Sequence, residues 1–114
     1  MRELSEGICE PCRTGALPAT AEEIAEYLVQ LPEWSLLSVE GIERLQRRFV
    51  FDDFLSALAF TNQVGELAES QGHHPALLTQ WGSVEVSWWT HKINGLHYND
   101  FIMASRTDQL YKSR

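Results

Sequence analysis

Three of the four histidines lie close together in the C-terminal half of the chain, with His73 next to His74 and His91 further along. Imidazole is the one side chain whose ordinary pKa lets it both give and accept a proton near neutral pH. Pro75 disfavours a helical conformation for His74, so we expect the adjacent imidazoles to be presented from an extended corner rather than buried. These residue types predict general acid–base chemistry.

Two carboxylates flank these histidines. Glu69 lies about one helical turn before His73, where its carboxylate can accept a hydrogen bond from an imidazole or from the polar edge of a bound ligand. Asp100 could cap the last helix or orient His91, and the cap is preferred because Asp at such a position is usually structural. His97, the remaining histidine, has no partner motif and is interpreted as a core or loop residue.

Metal binding is the competing interpretation. The three clustered histidines and Glu69 could in principle bind Zn²⁺, but adjacent histidines rarely reach one ion and Glu69 approaches from another side. Cys9 and Cys12 form a single Cys-x-x-Cys, and no second ligand pair accompanies them. We therefore predict no metal site and interpret the two cysteines as reduced thiols.

Length and charge argue against several classes of function. A chain of 114 residues can form one domain with its own core. Sixteen acidic against nine basic residues give a formal charge of −7, which repels a phosphate backbone and argues against nucleic acid as a partner. No run of about 18 apolar residues is present, and the first residues lack a signal-peptide core. We expect a cytoplasmic protein with no membrane partner.

Glycines and prolines divide the chain into an irregular arm over residues 1–19 and one domain over residues 20–114. In the domain, Thr20 and Glu23 form a capping box that begins a helix ending before Pro32. The first two strands are expected over residues 34–39 and 42–51, on either side of a tight turn. The second two follow the histidines, one through Leu77-Leu78 and the other from Val84 to Trp88.

Asp52-Asp53 can cap and charge the start of a long helix that ends at Gly72. Its apolar positions recur at helical spacing and predict the buried face: Phe54, Leu58, Thr61, Val64 and Ala68. Asn99 or Asp100 is expected to open the last helix. This order of elements predicts an α+β fold, an α-β-β-α-β-β-α sandwich in which three helices cover one face of a four-stranded antiparallel sheet.

The sequence also resembles a known family. The matching residues resemble the signature of the pterin-4a-carbinolamine dehydratases: Ala68-Glu69, His73-His74-Pro75, Val84, Thr90-His91, Gly95-Leu96, Asp100 and Ala104. His97 is a departure, because Thr or Ser is usual after Gly-Leu. The resemblance implies dehydration of 4a-hydroxytetrahydrobiopterin to quinonoid dihydropterin and water by histidine acid–base catalysis, without metal or organic cofactor.

The resemblance also implies roles for particular residues. His73 and His91 would be the acid–base pair, and His74 would hold the pterin and tune or share the proton transfers. The substrate-binding residues would be Glu69, His73, His74, Pro75, Thr90, His91, Lys92 and Ile93. Trp89 is expected to share the face of His91, whereas Trp81 and Trp88 are interpreted as sheet residues.

The resemblance further implies partners. The setting would be tetrahydrobiopterin recycling beside an aromatic amino acid hydroxylase such as phenylalanine hydroxylase, and the chain would form a homo-oligomer, a dimer or tetramer. Apolar residues of the last helix are expected to form a contact between subunits: Phe101, Ile102, Met103, Leu110 and Tyr111. The alternative function is a binding or scaffold protein that acts as a dimerisation or assembly partner, although relatives of that kind lack the intact His73-His74 pair.

Overall fold

The computed structural model describes residues 4–6 and 18–113, so the predicted thiols Cys9 and Cys12 lie outside the described residues. Within these residues three α-helices and four strands follow in the predicted order, and the bounds are α1 Ala21–Leu28, β1 Ser35–Val39, β2 Ile42–Val50, α2 Phe54–Gln71, β3 Ala76–Gln80, β4 Ser83–Trp88 and α3 Tyr98–Lys112. Short 3₁₀ helices cover Leu4–Glu6 and His91–Ile93.

The sheet is antiparallel throughout, with the strand order β1-β2-β4-β3. The tight turn predicted between the first two strands is confirmed at Glu40-Gly41: both residues have positive φ, 54° and 81°, as a two-residue turn that follows the strand twist requires. The central strands β2 and β4 pair Leu45 with Trp88 and Phe49 with Val84. Strands β1 and β3 are the two edge strands of the sheet.

The sheet has one covered and one open face because side chains alternate along each strand. Leu45, Phe49 and Trp88 are buried under the helices, and the Trp88 indole donates to the Thr107 hydroxyl of α3. Arg44 belongs to the opposite set of β2 positions and lies on the open face with the other even-numbered residues of that strand. The α+β sandwich with three helices on one face is thus confirmed.

Helix α2 begins and ends with the expected caps. The Asp53 carboxylate accepts a hydrogen bond from the Ser56 amide at 2.7 Å, and this bond lowers the pKa of Asp53. At the other end Gly72 has φ 62°, and the amides of Gly72 and His73 donate to the carbonyls of Glu69 and Ala68. This paired pattern is a Schellman motif, which turns the chain sharply at the point where the histidines follow.

The predicted buried face of α2 is partly wrong. Val64 and Ala68 are buried as expected, but Phe54 and Leu58 are exposed by 43% and 38%. Phe60 sets the orientation of the helix, since its ring packs against the ring of Phe49 on β2 at 4.8 Å between centroids. The buried residues of α2 are therefore Ala57, Phe60, Val64 and Ala68.

Helix α3 differs from prediction at its start and in its packing. It begins at Tyr98, and His97 is the cap, with its Nδ1 accepting a hydrogen bond from the Asn99 amide. The expectation that Phe101 contacts another subunit is wrong, because its ring is fully buried in this chain and packs on Tyr27. Ile102 and Met103 are likewise fully buried.

The two glycines of α2 should respond oppositely to the same substitution. Gly72→Ala should lower the free energy of unfolding by about 1–2 kcal/mol, because a Cβ disfavours the left-handed conformation even though space is available. Gly65→Ala, in the helix interior with open space around it, should raise that free energy by about 0.5–1 kcal/mol. Urea unfolding measures both, and equal effects of the two substitutions would contradict the assigned cap.

Candidate active site

A cavity of about 320 Å³ opens where α2 ends and the chain leaves β4. Its lining brings together the three histidines singled out by the sequence, and the lining residues are Gly72, His73, His74, His91 and Lys92. This volume is at the lower end of the range for small-molecule sites. A second cavity, of about 460 Å³, lies beside the start of α2, but Asp52 is its sole titratable lining residue. The first cavity is therefore the better candidate for a site of proton transfer.

His73 is buried, with 4% of its surface exposed, which contradicts the expectation of an exposed imidazole. The Schellman turn places its ring parallel to the indole of Trp88, with 5.7 Å between centroids and 9° between planes. Its Nε2 lies 2.6 Å from Oδ1 of Asp100. Burial of His73 thus comes with a charged hydrogen-bond partner, as burial of a polar ring requires.

Asp100 is fully buried and accepts hydrogen bonds from three segments. Its Oδ2 accepts from the Thr90 hydroxyl at 2.8 Å and from the His97 amide at 2.9 Å, while Oδ1 faces His73. The bond from His97 is the predicted helix cap. The imidazole that Asp100 orients is that of His73 and not that of His91. Because a carboxylate only accepts, Nε2 of His73 is the donor.

His74 points outward and pairs with Glu69, whose Oε1 lies 2.8 Å from its Nε2. An imidazole was one of the two partners expected for Glu69, and in the structure this imidazole is that of His74. Both side chains are largely exposed, so water screens the attraction between them. This pair can present His74 at the cavity while leaving it mobile.

His91 begins the 3₁₀ turn that follows β4. Its ring stacks on Trp89, with 4.4 Å between centroids and 30° between planes, so the expected shared face is confirmed. The guanidinium of Arg44 lies over the same indole, 3.9 Å from its centroid. Backbone hydrogen bonds between Thr90 and Gly95 in both directions close the loop that carries His91.

The other predicted substrate-binding residues are placed in different ways. Lys92 lines the cavity, whereas Thr90 is buried and directs its hydroxyl at Asp100. Pro75 and Ile93 are half-buried and do not belong to the lining residues. Gly72 lines the cavity and was missed, although a glycine directly before the His pair was a visible signal.

Across the described ranges, 4–6 and 18–113, no group of three or more His, Cys, Asp or Glu side chains is arranged to hold a metal ion. In the same ranges, no helix combines the length and apolar character needed to cross a bilayer.

Comparison with known proteins agrees with the fold and identifies the family. Residues 17–110 match the model of the family described as pterin 4 alpha carbinolamine dehydratase. A protein from Microcystis aeruginosa with the name "Putative pterin-4-alpha-carbinolamine dehydratase" is 56% identical over 114 residues, covering 100% of this chain and 98% of its own. A protein of the same name from Syntrophotalea carbinolica is 58% identical over 110 residues, covering 96% of this chain and 98% of its own. The chain belongs to the pterin 4 alpha carbinolamine dehydratase family.

Two solved structures are similar to this fold. The crystal structure of a transcriptional coactivator/pterin dehydratase from Brucella melitensis superposes with a TM-score of 0.75 at 33% identity, covering 83% of this chain and 99% of that one. A pterin dehydratase-like protein described as a RuBisCO assembly factor in the alpha-carboxysome has a TM-score of 0.58 at 21% identity. The match covers 69% of this chain and 89% of that one. The second similarity concerns the fold alone.

Removing the Asp100 carboxylate should destabilise the fold more than removing an ordinary cap. Asp100→Ala leaves the Thr90 hydroxyl, the His97 amide and the His73 ring without their acceptor, and we expect a loss of about 2 kcal/mol or more. Glu23→Ala is the matched control, because Glu23 holds the same capping-box position on exposed α1. Urea unfolding should show a much smaller loss for this control, and similar losses would mean that Asp100 acts as a cap only.

Proposed function

We propose that this chain dehydrates a 4a-hydroxytetrahydropterin to the quinonoid dihydropterin by histidine acid–base catalysis. The observation that carries the proposal is the cavity lined by His73, His74 and His91. Membership of the pterin 4 alpha carbinolamine dehydratase family supports the same substrate class.

The reaction needs two proton transfers and no change of oxidation state. The bond between C4a and its hydroxyl oxygen breaks, the oxygen takes up a proton and leaves as water, and the lone pair of N5 forms a double bond to C4a. The proton on N5 is then lost, so protons balance. One group that donates and one that accepts are sufficient, and each contributes about 10²–10⁴ in rate.

The three imidazoles suit these steps in different ways. The contact between Nε2 of His73 and Asp100 orients the ring, and His73 would exchange a proton with the pterin as one member of the acid–base pair. His91 would serve as the opposite member of the acid–base pair from the other wall. His74, with Glu69 behind it, would bind the polar edge of the pterin and assist the transfers.

Several finer features extend the proposal. Glu69, Pro75, Thr90, Lys92 and Ile93 are proposed to bind or shape the site for substrate, Thr90 acting through Asp100. The physiological substrate is proposed to be 4a-hydroxytetrahydrobiopterin, formed in the cytoplasm by an aromatic amino acid hydroxylase. Imidazole can donate and accept protons near neutral pH, and the protons of the reaction balance. The proposed reaction therefore requires no metal or organic cofactor.

A scaffold function is the second candidate, and one surface favours it. Apolar residues stand exposed in a row on α2, namely Phe54, Leu55 and Leu58. Large apolar residues grouped on a surface mark interaction sites. The protein described as a RuBisCO assembly factor shares the fold. Such a function can coexist with catalysis, because this row lies toward the start of α2 and the cavity lies at its end.

Catalysis is tested by stopped-flow measurement of pterin dehydration with no metal added. His73→Ala and His91→Ala should each lose about 10²-fold or more of the enzyme-dependent rate. His97→Ser is the matched control, because it removes the one histidine outside the cavity and keeps a side chain that caps a helix. It should retain nearly the full rate.

The outcomes separate the candidates. A wild-type rate no higher than the spontaneous one rejects catalysis and leaves the scaffold function. Activity that a chelator abolishes and Zn²⁺ restores would reject the metal-free mechanism. Equal losses in all three histidine variants would indicate damage to the fold rather than loss of acid–base groups.

The proposed contact between subunits is placed on the exposed apolar row of α2 instead of on α3. We propose a homo-oligomer in which two copies pack this row together, since a symmetric contact presents the same patch from both subunits. Light scattering should give a multiple of 13.0 kDa, and Leu55→Glu should lower it to one chain. Gln71→Glu adds the same charge at the far end of α2 and should leave the mass unchanged. A wild-type mass of one chain would reject the contact.

A further inference from the structure

The imidazole of His91 is held differently from the other two. His73 and His74 each bond to a carboxylate, that of Asp100 or Glu69. Within residues 4–6 and 18–113, the contact found for the His91 ring is its stack on the Trp89 indole. His91 is exposed and sits in a loop, so its orientation depends on how firmly that indole is held.

Arg44 lies over the same Trp89 indole. The register of β2 and β4 pairs Leu45 with Trp88, and the next step along both chains brings Arg44 opposite Trp89 on the open face of the sheet. The guanidinium carbon lies 3.9 Å from the ring centroid, well within the range of a cation–π contact. The guanidinium of Arg44 and the imidazole of His91 therefore both contact the Trp89 indole.

The environment of the Arg44 guanidinium indicates that the cation–π contact with Trp89 holds this side chain in place. Nε of Arg44 is buried and has no hydrogen-bond partner among the residues that the structure describes. A buried donor without a partner is costly, so the position is stable only if another interaction compensates. The indole face supplies it, and the side chain of Arg44 is thereby fixed against Trp89.

We propose that Arg44 is a positioning residue for His91 and acts through Trp89. Arg44 fixes the indole, and the indole fixes the imidazole at the wall of the cavity opposite His73. The effect on turnover rests on the proposed dehydratase function, whereas the stack itself does not. Arg44 is not a cavity-lining residue, so it should affect the orientation of His91 and not the binding of substrate.

Arg48 provides a matched control. It lies four residues along β2, on the same open face, and carries the same charge, but it is exposed. Arg44→Met and Arg48→Met therefore remove the same cation from the same strand. Arg44→Lys restores a cation, without the flat guanidinium that stacks on a ring.

Two measurements test the proposal. In NMR spectra, the indole ring current should displace the carbon-bound ring protons of His91, and Arg44→Met should return them toward the positions of an unstacked histidine. In the dehydration assay, Arg44→Met should lower kcat roughly 3- to 30-fold with KM nearly unchanged, the size expected for one cation–π contact. Arg44→Lys should recover part of both effects, and Arg48→Met should change neither.

Each other result overturns the proposal. Wild-type His91 shifts and wild-type kcat in Arg44→Met would show that Arg44 does not position the ring. A raised KM at unchanged kcat would show that Arg44 binds substrate instead, and equal losses in Arg48→Met would show a general charge effect. If Arg44→Met fails to fold, Arg44→Gln gives the same comparison. An inactive wild type rejects the proposed function, and the NMR shifts still decide the stack.

Discussion

The buried carboxylate of Asp100 is the constraint on which the site depends. A carboxylate removed from water is tolerated only when hydrogen bonds replace its hydration. Its three donors come from the segment after α2, the exit of β4 and the residue before α3. Satisfying one side chain therefore brings together three segments that are distant in sequence. The start of α3, the loop after β4 and the ring of His73 share this single anchor.

The three cavity histidines differ in how strongly the protein restrains them. His73 is enclosed between Trp88 and Asp100 and has little freedom to rotate. His74 is held by an exposed pair with Glu69, which water weakens. His91 lies between these extremes, stacked on an indole at the surface of a loop. The cavity lining thus combines one fixed imidazole with two more adaptable ones.

Most of the fold could be predicted because the signals are local. The Thr20 capping box, the Glu40-Gly41 turn and Gly72 each specify a backbone conformation by chemistry within a few residues. The buried face of α2 could not be predicted, since two overlapping apolar rows both have helical spacing and the ring of Phe49 decides between them. The histidines were recognised from residue type and spacing, but the pairing of His73 with Asp100 joins residues 27 apart. Arg44 carried no signal, because its relation to Trp89 exists only in the strand register.

Trp88 at the end of β4 and Trp89 directly after it each contact one of the cavity histidines. Trp88 supports His73 from the covered face of the sheet, and Trp89 supports His91 from the open face. Neighbouring strand residues point to opposite faces, so this division follows from the pleat. An insertion or deletion of one residue in β4 would exchange the two indoles, whereas a change of two residues would preserve their parity. Over evolutionary time, the length of this strand should therefore vary in even steps or not at all.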